Sequence, residues 1–164
     1  MPEVRDNTKI LEKDRDRSIA VYFDTCYIAK FYLNEQGSAQ VRELVRKAEV
    51  ITSSIWASAE FHAVLHRHIR RGSLTPKHAR DLASRFSGHK DDGLWNLAPI
   101  TEALLRRTSL LMISAPDDLF IRTVDAVHLA TAQEIGEREV WTNDRHMLAA
   151  AFHFGLRGRS LQHQ

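Results

Sequence analysis

The chain of 164 residues has one cysteine, seven glycines, four prolines and almost no surplus of either charge sign. Each shortage excludes something. A single cysteine, Cys26, cannot form an internal disulfide, so the fold must be held by its core, and a reducing cytosol suits it. Few glycines and prolines, with 43% apolar and 27% charged residues, are the composition of a globular domain. The formal net charge is only +2, so the chain is no polycation, although that balance leaves room for a local basic patch. No apolar run approaches the roughly 20 residues a membrane span needs. The first residues are polar and charged, unlike a secretory signal. What remains is a cytoplasmic chain of single-domain size, long enough to bury a substantial core.

Residues 1–17 alternate acids and bases, including Glu3, Arg5, Asp6, Asp16 and Arg17, and offer little to bury. They read as a flexible charged tail ahead of one domain over 18–164. Ile19 to Phe23 is a short apolar, β-rich run that stops at Asp24, the pattern of a buried strand. Helical spacing follows from Cys26 to Leu33 and from Ser38 to Ala48. Glu49 to Thr52 is a second strand, closed by Ser53 and Ser54. A long helix spans Ile55 to Arg71 and stops at Gly72, and the next opens at Thr75-Pro76, a cap followed by a first-turn proline, and runs to Gly88. Leu94 to Ala98 is a third strand, and Thr101 caps a helix reaching Met112. Glu139 to Thr142 is a fourth strand, Asp144 to Phe154 a short helix, and a weak last strand begins after Gly155. Strands alternating with helices in this way predict an α/β fold with a mostly parallel central sheet flanked by helices.

Between the third and fourth strands lies Arg122-Thr-Val-Asp-Ala-Val-His-Leu-Ala-Thr-Ala132, a helix apolar almost all the way round with Asp125 in its first turn. An acid there satisfies free amides and suits the helix dipole, so alone it reads as a cap. Burying an ionised carboxylate, however, demands a partner. Two more acids, Asp24 and Asp144, follow the first and fourth strands, and ligands of open α/β sheets bind where strands end. Glu60 lies in the second turn of the long helix, within reach of the same rim. Four converging carboxylates would repel one another without a counter-charge. Hard divalent cations, Mg²⁺ or Mn²⁺, are an economical solution, and such centres hydrolyse phosphodiesters by activating water.

The segments Phe23-Asp-Thr-Cys-Tyr-Ile-Ala-Lys-Phe-Tyr32, Thr52-Ser-Ser-Ile55 with Glu60, Thr123-Val-Asp-Ala-Val-His-Leu-Ala-Thr-Ala132 and Trp141-Thr-Asn-Asp144 resemble, in order and spacing, the four motifs of PIN-domain nucleases. The resemblance runs from Ile19 to Leu156 and is nearest to the VapC-type toxins of VapBC toxin–antitoxin modules. It implies a PIN-like fold and a Mg²⁺- or Mn²⁺-dependent endoribonuclease whose metal-binding acids are Asp24, Glu60, Asp125 and Asp144. It further implies a VapB-type antitoxin partner and a homodimer. Three features depart from the family pattern: Cys26 where many relatives have serine, a polar Arg157-Gly-Arg159 at the last strand, and the length of the charged tail.

Around the acids, Thr25, Ser53, Thr142 and Asn143 are placed either to support the ligand shell or simply to cap helices. Arg67, Arg70, Arg71, Lys77, Arg80, Arg85 and Lys90 form a basic stretch that suits either RNA phosphates or a solvated helical face. His62 and His66 stand one turn apart but lack a third zinc ligand. His128 reads as a packing or locally bonded residue, and His146 as a minor candidate for touching substrate. Tyr27, Phe31, Tyr32 and Trp56 read as mostly core, with any exposed part available to an antitoxin. A non-cleaving RNA- or protein-binding module, and a PIN nuclease of RNA processing or DNA cleavage, are the rival readings. Phosphotransfer through Asp24 ranks last, since Asp24-Thr25-Cys26 lacks the second acid that chemistry favours.

Overall fold

A computed structural model describes residues 20–161. The charged segment 1–17 lies outside the described residues, as does Ile19. The described chain runs β1 (Ala20–Phe23), α1 (Thr25–Tyr32), α2 (Ser38–Lys47), β2 (Val50–Ser54), α3 (Trp56–Arg70), α4 (Pro76–Asp91), β3 (Asn96–Ala98), α5 (Glu102–Ile113), α6 (Thr123–Glu134), β4 (Glu139–Trp141), α7 (Arg145–Ala150) and β5 (Arg157–Arg159), with a 3₁₀ turn over Ala151–Phe154. The strands form one sheet in the order β3-β2-β1-β4-β5. All four neighbouring pairs are parallel, with Tyr22 opposite Thr52 on one side and Val140 on the other.

Parallel strands buried on both faces need apolar side chains in both directions, and β1 supplies them in alternation. Val21 and Phe23 join the cluster built with α1 to α4, where Tyr27, Phe61, Phe86 and Trp95 interlock. Tyr22 points the other way, into the cluster with Leu104, Leu129, Met147 and Phe154 from α5, α6, α7 and the 3₁₀ turn. The strand order reverses direction about β1: successive crossovers move outward to β2 and β3, and the chain then returns to place β4 on the opposite side. In open α/β sheets, the crevice at such a reversal is where ligands sit.

The same topology decides where the apolar helix begins. A helix leading into a parallel strand runs opposite to it, so α6 starts at the rim where the strands end. Asp125 therefore joins the carboxyl-end rim although it precedes β4. Residues 125–132 of α6 are all buried, as the apolar surround predicts, while Ile135 is exposed. The polar last strand forms as well. Arg157 and Arg159 both reach Glu139 of β4, and the Arg159 guanidinium lies over the Trp141 ring. Gly158 allows the strand to pass beneath α7, since a Cβ there would meet the Leu148 backbone at 3.2 Å. Trp56 departs from its expected core position and is 44% exposed, at the first turn of α3 just after β2 ends. No described helix is long and apolar enough to cross a membrane.

Candidate active site

Asp24 leaves β1 as the N-cap of α1. Its Oδ1 accepts the amides of Cys26 (2.9 Å) and Tyr27 (3.2 Å), and its Oδ2 accepts the Thr142 hydroxyl. Asp144 repeats the device after β4, capping α7 through the amides of His146 (2.8 Å) and Met147 (3.1 Å). The fully buried Thr142 hydroxyl joins the two, because it also accepts the Asp144 amide at 3.0 Å. Capping and site formation are thus one arrangement: each helix start fixes a carboxylate on the rim.

Glu60 in α3 reaches back as its spacing predicts. It accepts the Thr25 hydroxyl and pairs with His128 Nε2 at 2.7 Å. His128 is buried, and its Nδ1 faces the Tyr22 hydroxyl at 3.0 Å. With the Glu60 carboxylate accepting, His128 donates from Nε2, and its Nδ1 lies within hydrogen-bond distance of the Tyr22 hydroxyl. His128 does bond within the core, but its carboxylate partner comes from another helix, not from its own turn.

Asp125, third residue of α6, is taken by Arg122. The guanidinium donates from Nε to Oδ2 (2.8 Å) and from Nη2 to Oδ1 (3.3 Å), and the same Nη2 donates to Asp144 Oδ2. The counter-charge that the clustered acids require is therefore partly internal. Sequence reasoning missed Arg122 and Tyr22; the Arg122–Asp125 spacing of three residues was the only available signal.

Electrostatics separate the acids. Burial dominates at Asp24 and raises its pKa above the ordinary carboxylate value, against the opposing pull of Cys26, Thr142, His128 and Tyr27. Burial would also raise Asp144, but the Met147 and His146 amides with Arg122 outweigh it, and its carboxyl sits below the ordinary value. Burial, then the Asp24 charge, push the Cys26 thiol well up, so it remains protonated and unreactive.

Asp24, Glu60, Asp125 and Asp144 all line one open cleft of about 780 Å³. Thr25, Asn143, Arg67 and Arg71 also line it, with Arg122 and His128. Asn143 accepts hydrogen bonds from Tyr27 (3.0 Å) and Ser160 (2.8 Å), tying the segment just after β5 to α1. Ser53 lies outside the cleft lining, since its buried hydroxyl donates to the Phe23 carbonyl at 2.7 Å and fastens β2 to β1. Arg70, Lys77, Arg80 and Arg85 are exposed but do not line the cleft; Arg85 lies over the Tyr32 ring. The oxygen-rich donor set fits a hard divalent cation in kind. As the side chains stand, no three of the described acids, histidines or cysteines close on a single point, and Arg122 bridges two of the acids.

Fold and cleft together define an α/β protein with a carboxylate site at the switch point of a parallel sheet. The chain belongs to the PIN domain family, whose sequence model matches residues 21–153. Among solved structures it is similar to VapC20 of Mycobacterium tuberculosis, described as a toxin cleaving the Sarcin–Ricin loop. The TM-score is 0.63 at 17% identity, covering 79% of this chain and 94% of that one. No curated protein matches the sequence.

Proposed function

We propose that this protein is a VapC-type toxin, an endoribonuclease that uses Mg²⁺ or Mn²⁺ to hydrolyse RNA phosphodiester bonds. The observation that carries this reading is the convergence of Asp24, Glu60, Asp125 and Asp144 on one cleft of a PIN domain. The similarity to VapC20, a Sarcin–Ricin loop cleaving toxin, supports it. The four acids are the residues that would hold the ion, which when bound would activate water and neutralise phosphate charge. The chain's own part is to fix geometry. Thr142 and two amides hold Asp24, Thr25 and His128 hold Glu60, and the α7 amides hold Asp144. Arg67 and Arg71, on the cleft wall, present positive charge to the RNA backbone. A VapB-type antitoxin and a second copy of the chain are the proposed partners in the cytoplasm. Leu110, Ile113 and Phe152 expose apolar surface that such partners would cover.

The test is cleavage of RNA by purified protein with Mg²⁺ or Mn²⁺, against EDTA and against Asp24→Asn and Asp125→Asn. Metal-dependent cleavage by the wild type, lost in both variants, is the expected result. Cleavage that survives both substitutions refutes the site. RNA retention without cleavage under every condition favours the non-cleaving module, and cleavage of DNA alone favours the DNA-directed rival.

A further inference from the structure

Arg122 sits at the N-cap of α6 with extended backbone and offers no side-chain cap to its own helix. Its guanidinium turns instead toward the cleft and joins two acids from separate elements, Asp125 of α6 and Asp144 before α7. The other cations lining the cleft form no ion pair with these two acids among the described residues. Lys30 is tied to Glu35 and to the Gln36 carbonyl, and neither Arg67 nor Arg71 forms an ion pair with Asp125 or Asp144 among the described residues. The Asp144 oxygen that Arg122 occupies is the one not bound by the α7 amides. Both Asp125 oxygens lie in the guanidinium fork. An oxygen held in that fork is not free for inner-sphere contact with an ion, and a guanidinium repels a dication at close range.

The geometry points to Arg122 as a built-in competitor for the divalent cation. It neutralises Asp125 and Asp144 while the cleft holds no ion, and it gives them up when one arrives. This inference rests on the cation-dependent reading above. Two acids brought together by different elements repel without such a charge, so the same residue stabilises the metal-free fold and lowers the affinity of the metal-loaded one.

Mn²⁺ alone, without RNA, is titrated into the full-length protein by calorimetry and by electron paramagnetic resonance of free Mn²⁺. Wild type is compared with Arg122→Gln, Arg122→Lys and a control, Arg107→Gln, that removes an exposed charge of α5. Arg122→Gln is expected to bind Mn²⁺ roughly tenfold or more tightly than wild type. In EDTA it should melt below wild type, and Mn²⁺ should raise its melting temperature by more than it raises that of wild type. Arg122→Lys, which keeps the charge without the fork, should fall between the two, and Arg107→Gln should match wild type. Binding by Arg122→Gln no tighter than wild type overturns the competition and leaves the cation reading standing. If no protein binds Mn²⁺, the cation reading falls and the competition with it.

Discussion

Thr142→Val removes the hydroxyl that joins the two strand-end acids while preserving side-chain shape and β propensity. That hydroxyl is fully buried, donates to Asp24 Oδ2 and accepts the Asp144 amide at 3.0 Å. A hydrogen bond to a charged group contributes about 1.5–3 kcal/mol, and an ordinary one about 1 kcal/mol. The combined loss is therefore about 3 kcal/mol, which for a chain of 164 residues lowers Tm by roughly 6–12 °C. The loss should also depend on pH. Burial already lifts the Asp24 pKa above its unfolded value, so the stability this group contributes is complete below the unfolded pKa and declines as pH rises through the folded one. Removing a bond to the carboxylate lifts the folded pKa further. The penalty of Thr142→Val is then largest near neutral pH and smaller at a second, acidic pH below the raised Asp24 pKa. Denaturant melts at both pH values measure it, with Thr108→Val as reference, since that hydroxyl donates to the Leu104 carbonyl of its own helix and should contribute less than about 1 kcal/mol. A loss under about 1 kcal/mol for Thr142→Val, or an equal loss at the two pH values, refutes the argument.

Asp24→Asn, the variant expected to lose cleavage, should melt above wild type near neutral pH because it removes a buried ionised group; the gap should close as the pH is lowered through the raised Asp24 pKa. Gly158→Ala should destabilise by about 1–3 kcal/mol, because the new methyl meets the Leu148 backbone at 3.2 Å. Hydrogen exchange should then accelerate at the Thr142 amide, which bonds the Arg159 carbonyl, and unchanged protection there would contradict it. Substituting Arg67 and Arg71 together by alanine should flatten the log–log salt dependence of single-stranded RNA binding by about 1.4, at about 0.7 per phosphate contact. Lys77→Ala and Arg80→Ala, outside the cleft lining, should leave that slope unchanged.

Local signals in the chain carry the element order. Apolar runs such as Val21 to Phe23 define strands, Thr75-Pro76 and Thr101 open helices where the structure has them, and the acids stand at strand ends because the runs stop there. These depend on nearest neighbours along the chain, which a sequence displays directly. Asp24 and Asp144 were legible on the same grounds, and Glu60 by its distance from Ser53.

What the chain alone left open depended on groups far apart in sequence. Asp125 joined the rim through the antiparallel run of α6 against β4, a consequence of topology and not of its own neighbours. His128 met Glu60 across 68 positions and Tyr22 across 106, so its partners were invisible until the sheet and helices were assembled. The basic stretch was legible as a stretch, but only helix orientation decided that Arg67 and Arg71 line the cleft while Lys77 and Arg80 do not. Composition and spacing required a positive charge among the clustered acids; the three-dimensional arrangement decided that Arg122 supplies one from within the chain. Secondary structure follows short-range periodicity and capping, whereas charge compensation is set by through-space distances that only the tertiary fold creates.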